Sequence, residues 1–332
     1  MTDAVLDVRN LNLSVGRANI VNDVSFSVSQ GSTLGIVGES GSGKSMTVLG
    51  ATGLVDSPPA VVTGTSTIDG ANLVGLSRAK LQKIHGRRIG FIFQDPSTSL
   101  NPVLTIERQL TEGPETHLGM TRRAAKRKAL DLLEAVGIPD PGSRLGAYPH
   151  QLSGGMKQRV MIAVALACDP ALLIADEPTT ALDVTTQSQI MALVRSLQER
   201  VGMAVVWISH DLGVISGVAE EVVVLYGGQV VEQAGILELF RNPLHPYTQG
   251  LLQARPTLGS TAELVVIPGS PPDPKHLPEG CVFFDRCPLR LDPRCETERP
   301  PLAAVGADHL VRSFCATSGS DRISNAWEAS RV

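Results

Sequence analysis

GESGSGKS, Gly38 to Ser45, holds the residue types of a phosphate-binding loop at the spacing glycine, four residues, then Gly-Lys-Ser. Glycines let successive backbone N–H groups turn inward around phosphate oxygens. Lys44 has the reach and charge for the β- and γ-phosphates, and Ser45 offers a hydroxyl to Mg²⁺. Gly38, Glu39, Ser40, Gly41, Ser42, Gly43, Lys44, Ser45 and Met46 are therefore the candidate nucleotide contacts. Far along the chain, LLIADEP (172–178) ends an apolar run in two carboxylates. Asp176 is placed to hold the Mg²⁺ shell through water, and Glu177 to polarise the water that attacks a γ-phosphate. A strand ending in a solvated acidic turn is the blander account of this pair. A phosphate loop in the same chain makes that account the weaker one.

Three more elements bear on the same chemistry. LSGGMKQR (152–159) reads as a serine-glycine-glycine turn opening a helix, so Ser153, Gly154 and Gly155 offer free N–H donors to an anion. It lies too far from the first loop to belong to it, and makes sense if it completes the site of another copy. His210 in ISHDL follows an apolar run where a γ-phosphate sensor is wanted, although a lone histidine is more often a structural residue. Gln94 in FIFQDP is similarly placed to touch Mg²⁺ or the attacking water.

These residues need elements to hold them. Residues 1–30 read as short alternating strands, and Leu34 to Val37 as a short apolar strand running into the glycine loop, with a helix starting near Gly43. From about 97 to 158 the texture is helical. In TRRAAKRKALDLLEAVGI, Ala125, Ala129, Leu132, Leu133 and Val136 share one face, and the basic run Arg122 to Lys128 falls largely on the other. A solvated helix face explains that run better than a nucleic-acid role does. From 160 to 235 helices alternate with the strands ALLIADE and MAVVWIS, which implies a mainly parallel sheet covered on both faces. Beyond about 236 the chain turns proline-rich and loop-like, a separate appendage.

The 332-residue length allows two or three domains, and 42% apolar with 19% charged residues is a globular composition. A net charge of −4 gives no sign of a nucleic-acid binder. MTDAVLDVRN lacks the basic start and apolar core of a signal peptide, and the longest strongly apolar run, Val160 to Cys168, is too short to span a bilayer. A cytosolic chain, with a peripheral position on a membrane protein left open, is the expectation. There thiols stay reduced, so a cysteine cluster points to metal or catalysis before disulfides.

In order, these motifs resemble the ATP-binding subunits of ABC transporters over the first 235 or so residues: GESGSGKS as Walker A, Gln94 as the Q-loop and LSGGM as the signature. LLIADE follows as Walker B, TALD (Thr180 to Asp183) as the D-loop and His210 as the switch histidine. The resemblance implies an α/β RecA-like phosphate-loop ATPase core with an antiparallel β subdomain, an inserted helical subdomain (about 97–158) and a domain boundary near 235. It further implies ATP and Mg²⁺ as ligands, and a head-to-tail dimer in which the signature of one subunit completes the partner's ATP site. Met156 stands where glutamine is commonest in the signature, a substitution that looks like the peptide-importer branch. The position where an aromatic usually stacks on adenine falls at Val15, which implies weak base stacking.

The appendage, 236–332, carries NPLHPYTQGLL, IPGSPP and LPEGCVFFDRCP, which resemble the C-terminal extension of oligopeptide/dipeptide importer ATPases. The resemblance implies two permease subunits, a second ATP-binding subunit (the same or a different chain), an extracytoplasmic solute-binding protein acting indirectly, and a peripheral place on the cytoplasmic membrane face. No nucleic-acid partner is implied. It also implies a four-cysteine [4Fe-4S] site: Cys281, Cys287 and Cys295 match, and Cys315 stands two residues beyond the family's fourth position, here Ser313. No pair has the two-to-four-residue gap of a zinc knuckle, which weighs against zinc although thiolates ligate both metals; together with the resemblance, iron–sulfur ranks ahead of zinc and of unmetallated thiols. Cys168, in an apolar helix, reads as a core residue. The rival class, a soluble ABC ATPase of nucleic-acid repair or translation, predicts a long coiled-coil insertion or two fused ATPase units, and the sequence has neither.

Overall fold

The computed structural model describes residues 4–180, 182–254, 266–290 and 292–315. Among them the strands are β1 (Ala4–Val15), β2 (Ala18–Ser29), β3 (Thr33–Val37), β4 (Ala60–Ile68), β5 (Ala71–Asn72) and β6 (Ile89–Ile92). They continue with β7 (Leu172–Asp176), β8 (Ala204–Ser209), β9 (Glu221–Tyr226), β10 (Gln229–Gly235), β11 (Ala303–Ala304) and β12 (Leu310–Val311). The chain forms two compact units, each assembled from separate stretches: Met1–Leu6, Val28–Thr33 and Leu76–Ile208 make one, and Asp7–Ser27, Leu34–Gly75 and Ser209–Val332 the other.

In the first unit β6, β7 and β8 run parallel in the order β8-β7-β6, with Ile89 opposite Leu172 and Leu172 opposite Ala204. Leu172 to Ala175 and all of β8 are buried, the near-continuous apolar texture of strands covered on both faces. Helices Ile106–Leu118, Arg122–Ala135 and Gly154–Leu166 supply the helical layer. The second of these starts at Thr121, whose hydroxyl accepts from the Ala124 N–H, and it buries Ala125, Ala129, Leu132 and Leu133, the face read from the sequence. Arg122, Arg123, Lys126 and Arg127 are exposed, Lys126 pairing with Glu107 at 2.7 Å, while Lys128 pairs with Asp169. The basic run is a solvated face. Cys168 is buried in this unit, and burial raises its thiol pKa.

The second unit holds five strands in the order β11-β12-β10-β9-β3, of which β3 and β9 are parallel and the others antiparallel. It also holds most of a four-stranded sheet in the order β2-β1-β4-β5, with β4 and β5 antiparallel. The sequence reads LDVRNLNLSV and VNDVSFSV as two strands separated by a polar turn, and β1 and β2, each twelve residues long, contain them. Within the strands, Asn10 and Asp23 adopt left-handed backbone (φ 47° and 53°) without ending either one. Their amide and carboxylate meet at 2.7 Å, and Ser25 Oγ and Asn12 Oδ1 accept the N–H groups of Asn10 and Asp23. Side chains thus satisfy donors that the local kink takes out of line.

The appendage is more regular than its prolines imply. Ile236–Arg241 and Pro246–Gln253 are helices, the latter with Pro246 in its first turn and His245 Nδ1 accepting the Tyr247 N–H. One buried carboxylate keys this segment to β10: Glu232 accepts from the N–H groups of Leu244 (2.7 Å) and His245 (3.0 Å) and lies 2.8 Å from His309 Nε2. Among the described residues no helix is long and apolar enough to cross a membrane.

Candidate functional site

The phosphate loop lies in the second unit, where β3 delivers it and the helix Lys44–Thr52 leaves it. Glycine is required at both ends. A side chain at Gly38 would sit 2.2 Å from the Leu225 carbonyl, and Gly43 has φ 96° with the Ile20 carbonyl 2.8 Å from any added Cβ. Lys44 is buried, its ammonium donating to the carbonyls of Gly38 (2.8 Å) and Glu39 (3.0 Å). Ser42 is buried, Ser45 and Met46 are half-buried in the first helical turn, and Ser40 and Gly41 are exposed on the rim. Glu39 is held from both ends: its N–H donates to Tyr247 Oη at 2.8 Å, and its carboxylate takes two guanidinium bonds from Arg286, at 2.7 and 3.1 Å. His210 is exposed in this unit, one residue before Asp211, which caps the helix Leu212–Ser216. Val15 closes β1 half-buried.

The carboxylates lie in the first unit. Asp176 ends β7, and Glu177 follows with φ 46°, a left-handed conformation uncommon for a glutamate. The Glu177 N–H donates to the Ile208 carbonyl at 3.1 Å, and one carboxylate oxygen accepts from Thr180 Oγ1 (2.9 Å) and Gln94 Nε2 (3.3 Å). Gln94 and Glu177, predicted as water- and metal-handling residues, are therefore in contact. The signature turn opens the helix Gly154–Leu166: Ser153 caps it, its hydroxyl accepting from Met156 N–H, and open space surrounds Gly154 and Gly155. Gln158, one turn on, donates to the Pro178 carbonyl at 2.6 Å, which ties the signature helix to the segment after Glu177. Of the D-loop stretch, Ala181 lies outside the described residues, and Asp183 caps the helix Val184–Val201.

The four appendage cysteines converge. Cys281, Cys287, Cys295 and Cys315 line one pocket with His245, Phe283, Phe284 and Ser313. Cys315 donates its N–H to Ser313 Oγ (3.0 Å), and its side chain hydrogen-bonds Cys295, so the two-residue displacement brings the thiol to the pocket. Burial pushes the Cys281 thiol up to about 11 and that of Cys295 up to about 12, and raises Cys287 as well. Among the described residues no group of three or more His, Cys, Asp or Glu side chains is placed to hold a metal ion. Four thiols are a donor set that suits a thiophilic centre.

Sequence reasoning missed the partners of these residues. Thr180, Arg286 and Tyr247 lie in segments the sequence singled out, but nothing in those motifs points to Glu177 or Glu39 as their partners.

A phosphate loop, a strand-end carboxylate pair with its glutamine, and a second glycine turn on a helix define an ATPase of the ABC class. Residues 21–180 match the family model described as ABC transporter, and 231–295 that described as oligopeptide/dipeptide transporter, C-terminal region. The oligopeptide transport ATP-binding protein OppD of Bacillus subtilis is 46% identical over 317 residues, covering 93% of this chain and 88% of the relative. The dipeptide transport ATP-binding protein DppD of Lactococcus lactis is 46% identical over 318 residues, 94% and 91% of the two chains. Among solved structures, cbiO1 from Clostridium perfringens, part of the ABC transporter complex cbiONQ, superposes with a TM-score of 0.63 at 26% identity, over 72% of this chain and 91% of that one. The dimeric bacterial ABC transporter cassette MJ0796 gives 0.62 at 30%, over 70% and 98%. The chain belongs to the family of ABC-transporter ATP-binding proteins that carry the oligopeptide/dipeptide transporter C-terminal region, and its core is the RecA-like α/β ATPase fold.

Proposed function

We propose that this chain powers the import of di- or oligopeptides or related small solutes through a permease pair, as one of two ATP-binding subunits docked on the cytoplasmic membrane face. The observation that carries this reading is the joint presence, in one chain, of the ATPase motif set and the transporter C-terminal region over 231–295. Lys44 and the loop amides of 38–46 bind the phosphates, Ser45 and Gln94 reach Mg²⁺, and Asp176 orders its water shell. Glu177 takes the proton of the attacking water, and His210 contacts the γ-phosphate. Ser153, Gly154 and Gly155 serve the ATP of the facing subunit, which accounts for an open glycine turn at a helix start with room around it.

The thiol pocket is the proposed place of a [4Fe-4S] cluster held by Cys281, Cys287, Cys295 and Cys315. Four cysteines lining one pocket are the ligand set such a cluster takes, each binding a different iron. The group would supply a rigid staple to a loop-rich segment.

Co-expression with candidate permease subunits from the same genome tests the transport reading. The expected result is a membrane complex with two multi-span subunits whose ATP hydrolysis rises on adding peptide-loaded binding protein. Purification as a free complex with nucleic acid would instead support the repair or translation class.

A further inference from the structure

Arg286 lies on a short helical turn, Phe284–Arg286, between Cys281 and Cys287, far in sequence from the phosphate loop. The residue is 7% exposed, and its guanidinium donors are spent on fixed acceptors. Nε donates to the Pro268 carbonyl (2.7 Å), one terminal nitrogen to the Ile267 carbonyl (3.1 Å) and the other to Tyr226 Oη (3.2 Å). The same two terminal nitrogens grip both oxygens of Glu39. Such a two-point arginine–carboxylate pair fixes orientation as well as charge. Glu39 is the second residue of the phosphate loop, and its carbonyl is one of the two that hold Lys44. Its N–H is tied to Tyr247, whose ring packs against Tyr226 and Phe283 with centroids 4.6 and 5.4 Å away.

The charges explain why such a grip is needed. A triphosphate seated on this loop places several negative charges near the Glu39 carboxylate. A free carboxylate there would repel the ligand, and it would compete for Lys44. We propose that Arg286 is a positioning residue for ATP binding: it neutralises Glu39 and holds it off the phosphate side, so that the loop and Lys44 meet the nucleotide as a preset cationic cradle. The turn at the thiol pocket thereby becomes part of the nucleotide site without touching the nucleotide. This rests on Gly38–Ser45 being the phosphate loop.

The test is equilibrium binding of a fluorescent ATP analogue with Mg²⁺ to the full chain, alongside steady-state hydrolysis, for R286Q, R286K, E39D and E39Q/R286Q. R286Q is expected to weaken binding and raise KM by roughly tenfold while kcat changes less than threefold, with R286K between it and the parent. E39Q/R286Q, which deletes the stranded charge, is expected to recover most of that loss. A merely structural role would make the double variant as poor as R286Q or worse, and that result overturns the proposal, as does R286Q binding within twofold of the parent. If the arginine variants fail to fold, E39D carries the test. It keeps the charge but draws it away from Arg286, and must bind ATP more weakly than E39Q. Equal binding by E39D and E39Q refutes the idea. If the unaltered chain itself fails to bind the analogue, the assignment of the phosphate loop falls instead.

Discussion

Glu177 is the residue proposed to take the proton of the attacking water, and its backbone is the more informative part of it. A non-glycine residue in the left-handed region costs roughly 1–3 kcal/mol, which the surroundings must hold in place. Here the Ile208 carbonyl fixes the N–H, and Thr180 and Gln94 clasp the carboxylate. Glu177→Gln keeps shape and most of that clasp but removes the base. ATP hydrolysis should fall by about 100-fold or more, with ATP binding and thermal unfolding nearly unchanged; near-normal turnover would strip Glu177 of the role of base. Glu177→Gly should also be inactive, yet at least as stable as the glutamine variant, because glycine enters this conformation without strain. Differential scanning calorimetry on the pair decides that point. The type and order of Lys44, Asp176 and Glu177 were legible in the sequence because phosphate chemistry restricts them. The strain at Glu177 was not, since nothing in ADEP announces a φ of 46°.

Between elements, the contact with most at stake is the buried carboxylate of Glu232 on β10. It satisfies two backbone donors, those of Leu244 and His245, and meets the His309 ring, so one side chain gathers three parts of the second unit. Each buried donor left unpaired costs about 1–3 kcal/mol. Glu232→Ala should therefore destabilise by several kcal/mol and loosen the 242–253 segment. Limited proteolysis should then cut there well before the core, and an unchanged cleavage pattern would show that other contacts hold the segment. The sequence conveyed the core elements and not these. Helix Arg122–Ala135 was readable because its apolar residues recur with helical period over fourteen positions. The helix Pro246–Gln253 was hidden, since NPLHPYTQ presents two prolines where a start signal is usually serine or aspartate. His245 does the capping instead, and burial makes that possible.

At the scale of the whole molecule, the buried groups of the appendage govern how stability responds to pH. His245 is fully buried; desolvation, then the charge of Arg312, bring its pKa down to about 3. Glu232 accepts its backbone N–H, and Arg290 and the four thiols line the same pocket. The unfolded chain therefore binds a proton that the native one refuses between about pH 6.5 and 3, so stability is full above 6.5 and falls by up to about 1.4 kcal/mol per pH unit below it. His245→Asn, which can still cap the helix, should flatten this acid arm. The thiols act with the opposite sign. Burial raises Cys281 to about 11 and Cys295 to about 12, so above about pH 8.5 the unfolded chain releases protons that the native one retains, and stability declines as pH rises toward those values. Metal-free protein should thus show a urea midpoint that is flat near neutrality and falls on both sides. Anaerobic loading with iron and sulfide should release protons, because the ligands must become thiolates. It should also abolish the alkaline arm while leaving the acid arm in place. An alkaline arm that persists in iron-loaded protein would mean that the pocket thiols do not ligate the iron, and Cys315 would then be a buried core thiol rather than the fourth ligand.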